Sequence, residues 1–239
     1  MYIKAREPFG QPPSVQPPDL FQIILIDPNG VFSNYVRLRE QIRSKLEDKF
    51  NHLDINWLRQ ENMRFRVQYR AGMPAGHEKA AFGIFDFPVY LLNTSPDSAS
   101  LVTDLMREHG IPNRIGNQDF YQIAQDCWKV GHTRGCGIPS GREFKKVGFI
   151  KTYRVFQDGK HDPLQAFVNV IAHEVGHMGN LFQHSPDGLM KYPLPLATEI
   201  DFNQIDKSRF LGNLRRLRAL KKAKSLNLPN ILKFQRIFK

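Results

Sequence analysis

The chain has little cysteine, no long apolar run and, from Lys207 onward, no acidic side chain. Cys127 and Cys136 are its two cysteines, so covalent cross-linking within the chain is limited to one bridge. They bracket a polar loop, CWKVGHTRGC, and either a disulfide or two free thiols is open, depending on the redox compartment. Phe21 to Ile26 is apolar but too short, and too quickly ended by Asp27, for a membrane span or secretory leader. No transmembrane segment and no signal peptide is expected, which leaves a cytoplasmic location or export by a non-classical route. Internal repeats and calcium-loop clusters of Asp and Gly are also missing.

With 239 residues and 41% apolar content the chain can bury a substantial core and suits one main domain. Residues 1–19 hold Pro8, Pro12, Pro13, Pro17 and Pro18 with few large apolar side chains, and read as an extended arm. The main domain is expected over 20–206. The net charge of +11 resides in 207–239, where 11 Lys or Arg stand without an acidic partner. Within that segment Phe210, Leu214, Leu217 and Leu220 form an apolar stripe opposite Arg215, Arg216, Arg218 and Lys221, the pattern of an amphipathic helix. Such a helix either packs on the domain or meets an anionic partner: a membrane surface, nucleic acid or an acidic protein.

The most informative stretch is His173-Glu174-Val175-Gly176-His177, followed by His184 and Leu189-Met190. Residues four apart on a helix lie on one face, so His173 and His177 can direct ring nitrogens at one ion. Glu174 is displaced around the helix, where its carboxylate reaches a metal-bound water as a general base without ligating the metal. Zinc needs a third protein ligand and an open fourth position. His184 is the candidate; Asp187 and Glu199 are the alternatives. A helix is expected here on independent grounds. Asp162 reads as an N-cap, Pro163 as the first helical residue and Gln165 as the partner in a capping box. Leu164, Val168, Ile171, Val175 and Met178 recur at helical spacing as a core stripe, with the two histidines turned towards a cleft. Gly179-Asn180 offers two residues that tolerate left-handed geometry, which would stop the helix and return His184 to the metal.

The stretch from His173 to Pro193, HEVGHMGNLFQHSPDGLMKYP, resembles the active-site segment of the metzincin metallopeptidases, H-E-x-x-H-x-x-G-x-x-H followed by a methionine turn. It is nearest to the matrixins, in which Ser follows the third His and Leu-Met-Tyr-Pro closes the segment. Asn180 stands at the family glycine, His184 comes one residue late with Gln183 at the usual place, and Lys191 separates Met190 from Tyr192. The resemblance implies a zinc endopeptidase acting on protein or peptide substrates, with Zn2+ on His173, His177 and His184, Glu174 as general base and Met190 as the turn beneath the ligands. Tyr192 is a candidate for lining the cleft. Arg134 to Pro139, RGCGIP, is similar to the matrixin cysteine switch, although its place inside the domain argues against that role.

The fold class implied is α+β and metzincin-like: a mixed twisted sheet with the active-site helix in an upper lobe, and a smaller irregular lower lobe ending in a helix. Strands are expected at Phe21 to Ile26, Asn56 to Gln60, Met63 to Tyr69, Phe82 to Leu92 and Val147 to Phe156. Helices are expected at Asn34 to Phe50, Ser98 to His109 and Phe120 to Val130. Two other functions fit the same residues. One is a protease recruited to nucleic acid by the basic tail, and the other a non-catalytic, zinc-stabilised binding module, for which Glu174 would have no purpose.

Overall fold

The computed structural model describes residues 18–225 except 77, 79–80, 95–97, 116, 131–132, 139–144 and 158–160. Residues 1–17 of the expected N-terminal arm and 226–239 of the basic tail thus lie outside the described residues, and Asp19, expected to end the arm, instead begins β1, paired with Met63 of β2. Along the chain the elements are β1 (Asp19–Asp27), α1 (Val36–Asn51), α2 (Ile55–Gln60), β2 (Met63–Ala71), β3 (Asp86–Leu92), α3 (Ala99–Glu108), the short pair β4 (Arg114–Ile115) and β5 (Gln118–Asp119), and α4 (Phe120–Lys129). Then come β6 (Gly135–Ile138), β7 (Val147–Lys151), α5 (Thr152–Gln157), α6 (Pro163–Met178) and α7 (Gln204–Ser225). No described helix is long and apolar enough to cross a membrane.

Five strands form one mixed sheet in the order β2-β1-β3-β7-β6, parallel except for β6, which runs antiparallel to β7 at one edge. Alternation along β1 decides where each side chain goes. Phe21, Ile23 and Leu25 join a core with α1 and α6, while Ile24 and Ile26 join another with α3 and α4. Helices therefore cover both faces, and the central strands are apolar throughout, as parallel strands buried on two sides must be. After α6 the chain from Gly179 to Asn203 makes a single isolated bridge, Ser185 to Lys191, and then enters α7. This is the α+β arrangement expected, with an irregular segment closed by a helix.

Three local expectations are corrected. Asn56 to Gln60 is not a strand but α2, because the Asp54 carboxylate accepts from the Trp57 N–H at 3.0 Å and caps a helix whose Trp57 and Leu58 are buried. Val147 to Phe156 is a strand only as far as Lys151; the Thr152 hydroxyl then donates to Leu92 O at 3.1 Å and the chain turns into α5. The loop between the cysteines ends in β6, where two glycines permit close approach to α6.

At the β2 edge, side chains of α1 stand in for a missing strand. Asn51 accepts from the Phe65 N–H at 2.8 Å and donates to the Phe65 carbonyl at 3.0 Å, and Glu47 accepts from the Val67 N–H at 2.8 Å. This pairing blocks the row of groups that would otherwise recruit another strand. The stripe of α7 is buried as the helix packs on the domain, and Arg215, Arg218 and Lys221 pair with Asp54, Glu61 and Asp19.

Candidate metal centre

The helix that carries the site begins as its sequence dictates. Asp162 accepts from the Leu164 N–H at 3.0 Å and Pro163 occupies the first turn. Gln165 does not complete a capping box: its amide donates to Asn169 Oδ1 at 2.9 Å, and Asn169 in turn donates to the carbonyls of Pro195 and Thr198. The helix is thereby tied along its side to the irregular segment. Asn180 takes the left-handed conformation, with φ of 69°, and Gly179 does not. Gly179 is needed for a different reason, since a side chain there would run into the Phe210 ring of α7.

His173, His177 and His184 converge, each offering a ring nitrogen, with all three ligand atoms within 4.8 Å of one another. His173 is buried, His177 half-buried and His184 exposed, so the cluster spans the floor and mouth of a cleft. Second partners set the tautomers. His173 Nδ1 donates to Leu189 O at 2.7 Å and His177 Nδ1 to Leu181 O at 2.6 Å. Their Nε2 lone pairs then face each other at 3.1 Å. Two acceptors at that distance repel unless a cation lies between them, and four-coordinate zinc at about 2.0–2.1 Å from each nitrogen sets ligand nitrogens about 3.3 Å apart. Burial pushes His173 down to about 3, aided by the neighbouring His177, and His177 down to about 4; burial also lowers His184. Neutral imidazoles are the form that binds metal. The donor set thus fits a metal ion.

The alternative third ligands stay apart from this cluster. Asp187 is engaged by the Asn203 amide at 2.7 Å, and Glu199 is exposed on the irregular segment. His184 is held where it is by its successor: the Ser185 hydroxyl donates to the buried Asp206 carboxylate at 2.6 Å, and the Ser185 N–H to Met190 O at 2.9 Å. Met190 is fully buried, with its sulfur against Gly176 in the turn between the two helix histidines, where a Cβ would lie 2.5 Å from it. Gly188 adopts φ of 69°, and a Cβ there would lie 2.6 Å from the Asn203 nitrogen, so glycine is required on both counts. Tyr192 stacks on His184 with ring centroids 5.1 Å apart and is partly exposed.

Glu174 is buried against the edge strand β6. Its carboxylate accepts from the Gly137 N–H, and a Cβ on Gly135 would lie 2.6 Å from its Oε1. Burial pushes its pKa up to about 8, against the opposing pull of that N–H and of the Lys151 charge. Lys151 is itself fully buried. Its ammonium donates to Val130 O and Thr133 Oγ1 at 2.8 Å each and to Cys127 O at 3.3 Å, with the Trp128 ring beneath it. It therefore holds the loop that carries β6. Cys127 and Cys136 form a disulfide across the same loop, which settles the open choice of thiol state and removes the thiolate that a cysteine switch would need.

These groups line one cavity of about 770 Å3. His173, Glu174, His177, His184 and Tyr192 share it with Gly135 to Ile138 of β6, with the apolar Phe120, Val170, Phe182 and Leu194, and with Arg134, Arg154 and Gln157. The structure thus brings the expected His, Glu and Tyr side chains to one cleft, with Met190 beneath it. It adds what the sequence did not reveal: the two glycines beside Glu174, and Lys151 behind it. The G-C-G run was the one available signal for the glycines.

No family model and no curated protein matches the chain. Among solved structures it is similar to an archaemetzincin from Methanopyrus kandleri, at 15% identity and a TM-score of 0.42, over 82% of this chain and 96% of that one. It is also similar to metalloproteinase-II from Bacteroides fragilis, at 10% identity and a TM-score of 0.42, over 82% of this chain and 53% of that one.

Proposed function

We propose that the protein is a zinc-dependent endopeptidase. The observation that carries the reading is the pair of helix histidines whose outer nitrogens are locked onto carbonyls while their inner nitrogens converge with His184 beside a buried carboxylate. A purely structural site has no use for that carboxylate. His173, His177 and His184 would hold the zinc, which when bound lowers the pKa of a coordinated water towards neutrality and polarises a carbonyl oxygen.

The chain's own residues supply the rest. The Leu189 and Leu181 carbonyls fix the two helix imidazoles as neutral donors. Glu174 takes a proton from the attacking water and delivers it to the departing amine, a cycle suited to a carboxyl whose burial raises its pKa towards the working pH. The Gly137 N–H orients that carboxylate, and Gly135 leaves it room. Met190, packed beneath Gly176, serves as the methionine turn that keeps the ligand loop in place. Tyr192, stacked on His184, is positioned to contact substrate or steady developing charge on the carbonyl oxygen.

Elemental analysis of the full chain beside His184→Ala tests the metal, and a peptide library read by mass spectrometry tests the reaction. About one zinc per chain, lost in the variant, and internal cleavage that ceases in Glu174→Ala are the expected outcomes. Folded protein that takes up no zinc when it is supplied would turn the reading to a metal-free binding module.

A further inference from the structure

The cleft contains a cation with no visible purpose. Arg154, on α5, lines the cavity that also holds Glu174 and the three histidines. Among the described residues it makes no ion pair and no hydrogen bond, and its Nε is buried without a partner. Buried donors are almost always satisfied, because leaving one unmet costs the full desolvation of the group, more when it is charged. Its guanidinium carbon lies over the neighbouring Tyr153 ring, 5.4 Å from the centroid. Gln157, exposed to solvent, lies three residues on along the same helix face and lines the same cavity.

The surroundings make the charge harder to explain as packing. Lys151 lies close enough for the Arg154 charge to help lower its pKa, so two cations neighbour one another. Among the described residues Glu174 is the one carboxylate lining the cavity, and it already accepts from Gly137. Arg134 adds a second guanidinium to the lining. Val170, one helical turn before His173, and Leu194 supply apolar wall. A planar guanidinium fork beside an amide and an apolar wall is the arrangement that takes a carboxylate on a short aliphatic stem.

We propose that Arg154, supported by Gln157, binds a carboxylate of the peptide substrate, so that the cleft selects acidic peptides. This rests on the endopeptidase reading and adds its substrate class. The carboxylate comes either from an Asp or Glu side chain or from a peptide C-terminus, and the two are separable by synthesis.

The test uses the full-length chain carrying Glu174→Gln, supplied with zinc, so that binding is measured without turnover. Fluorescence anisotropy compares three labelled peptides of otherwise identical sequence: internal Asp with an amidated end, internal Asn with an amidated end, and internal Asn with a free carboxyl end. Tighter binding of the first by tenfold or more assigns the side chain, and of the third the C-terminus. Arg154→Ala in the same background is expected to bring the ratios to within about twofold, Arg154→Lys to keep part of them, and Arg154→Glu to favour a Lys-bearing twin. Equal or undetectable binding of all three peptides, or a ratio that Arg154→Ala leaves intact, overturns the proposal. Wild-type protein that cleaves nothing while the ratio holds would sink the peptidase reading alone. A flat ratio beside active wild-type enzyme would sink only the carboxylate site.

Discussion

The two edges of the sheet solve one problem in two ways. At β2, Glu47 accepts from the Val67 N–H and Asn51 clasps Phe65, so α1 closes the edge with side chains. At β6, Glu174 of α6 accepts from the Gly137 N–H, the same pairing of a helix carboxylate with an edge amide. The first carboxylate is half-buried and also meets Arg43 at 3.4 Å; the second is buried beside three neutral imidazoles. A device that elsewhere protects an edge would, on the proposed reading, serve here to aim a proton acceptor. What separates them is the strand: β2 carries Phe65 and Val67 into the core, whereas β6 presents glycines so that the helix can come close.

Substitution at each edge should expose the difference. Glu174→Gln is expected to lower peptidase turnover by about 10²–10⁴-fold while zinc content stays near one per chain, because the base is lost and the ligands are not. Gly135→Ala places a methyl against the Glu174 carboxylate, and turnover should fall more than tenfold, with a stability loss of about 1–3 kcal/mol by denaturant titration. Replacing both cysteines by serine should cost about 2–3 kcal/mol, given the short loop their disulfide closes, and raise KM through a looser β6. Asn51→Ala at the other edge leaves the Phe65 amide and carbonyl unmet and should cost about 1–3 kcal/mol with turnover unchanged; altered turnover would mean that the edges are coupled.

A separate effect is one of pH. Glu174 has its folded pKa raised by burial to about 8, above its ordinary 4.5. The folded state therefore holds this proton more tightly, and stability from it is full below about 4.5 and lost as pH rises towards 8. In metal-free protein the Tm advantage of Glu174→Gln over wild type should grow across that interval. A constant difference would place Glu174 in a wetter setting than β6 provides.

Much of the candidate metal centre was legible because its signals are local. An i, i+4 histidine pair, an Asp-Pro helix start and an Asn able to turn left-handed all act within a few residues, and each lies where the spacing put it. Gln165 failed as a capping partner because Asn169, equally local, offered it a side-chain acceptor that is in turn fixed by distant carbonyls. Asn56 to Gln60 was misread because alternation over so few residues cannot outweigh the cap at Asp54. The roles of Lys151, Gly135 and Gly137 depend on strands and helices meeting across the sheet, and nothing in the spacing of one segment records which partner it will meet.

The contact of Phe210 with Gly179 bears on how the basic end of the chain can be studied. The Phe210 ring sits against the last turn of the metal helix, and the Asn213 amide grips the Gly179 carbonyl at 2.7 Å. The last described helix, α7, is thus a doorstop for the histidine-bearing one, and cutting it away would unseat His177 together with whatever the cations do. An address label for an anionic surface would have to be erased by recolouring exposed positions such as Arg209, leaving the hinge side of the door untouched.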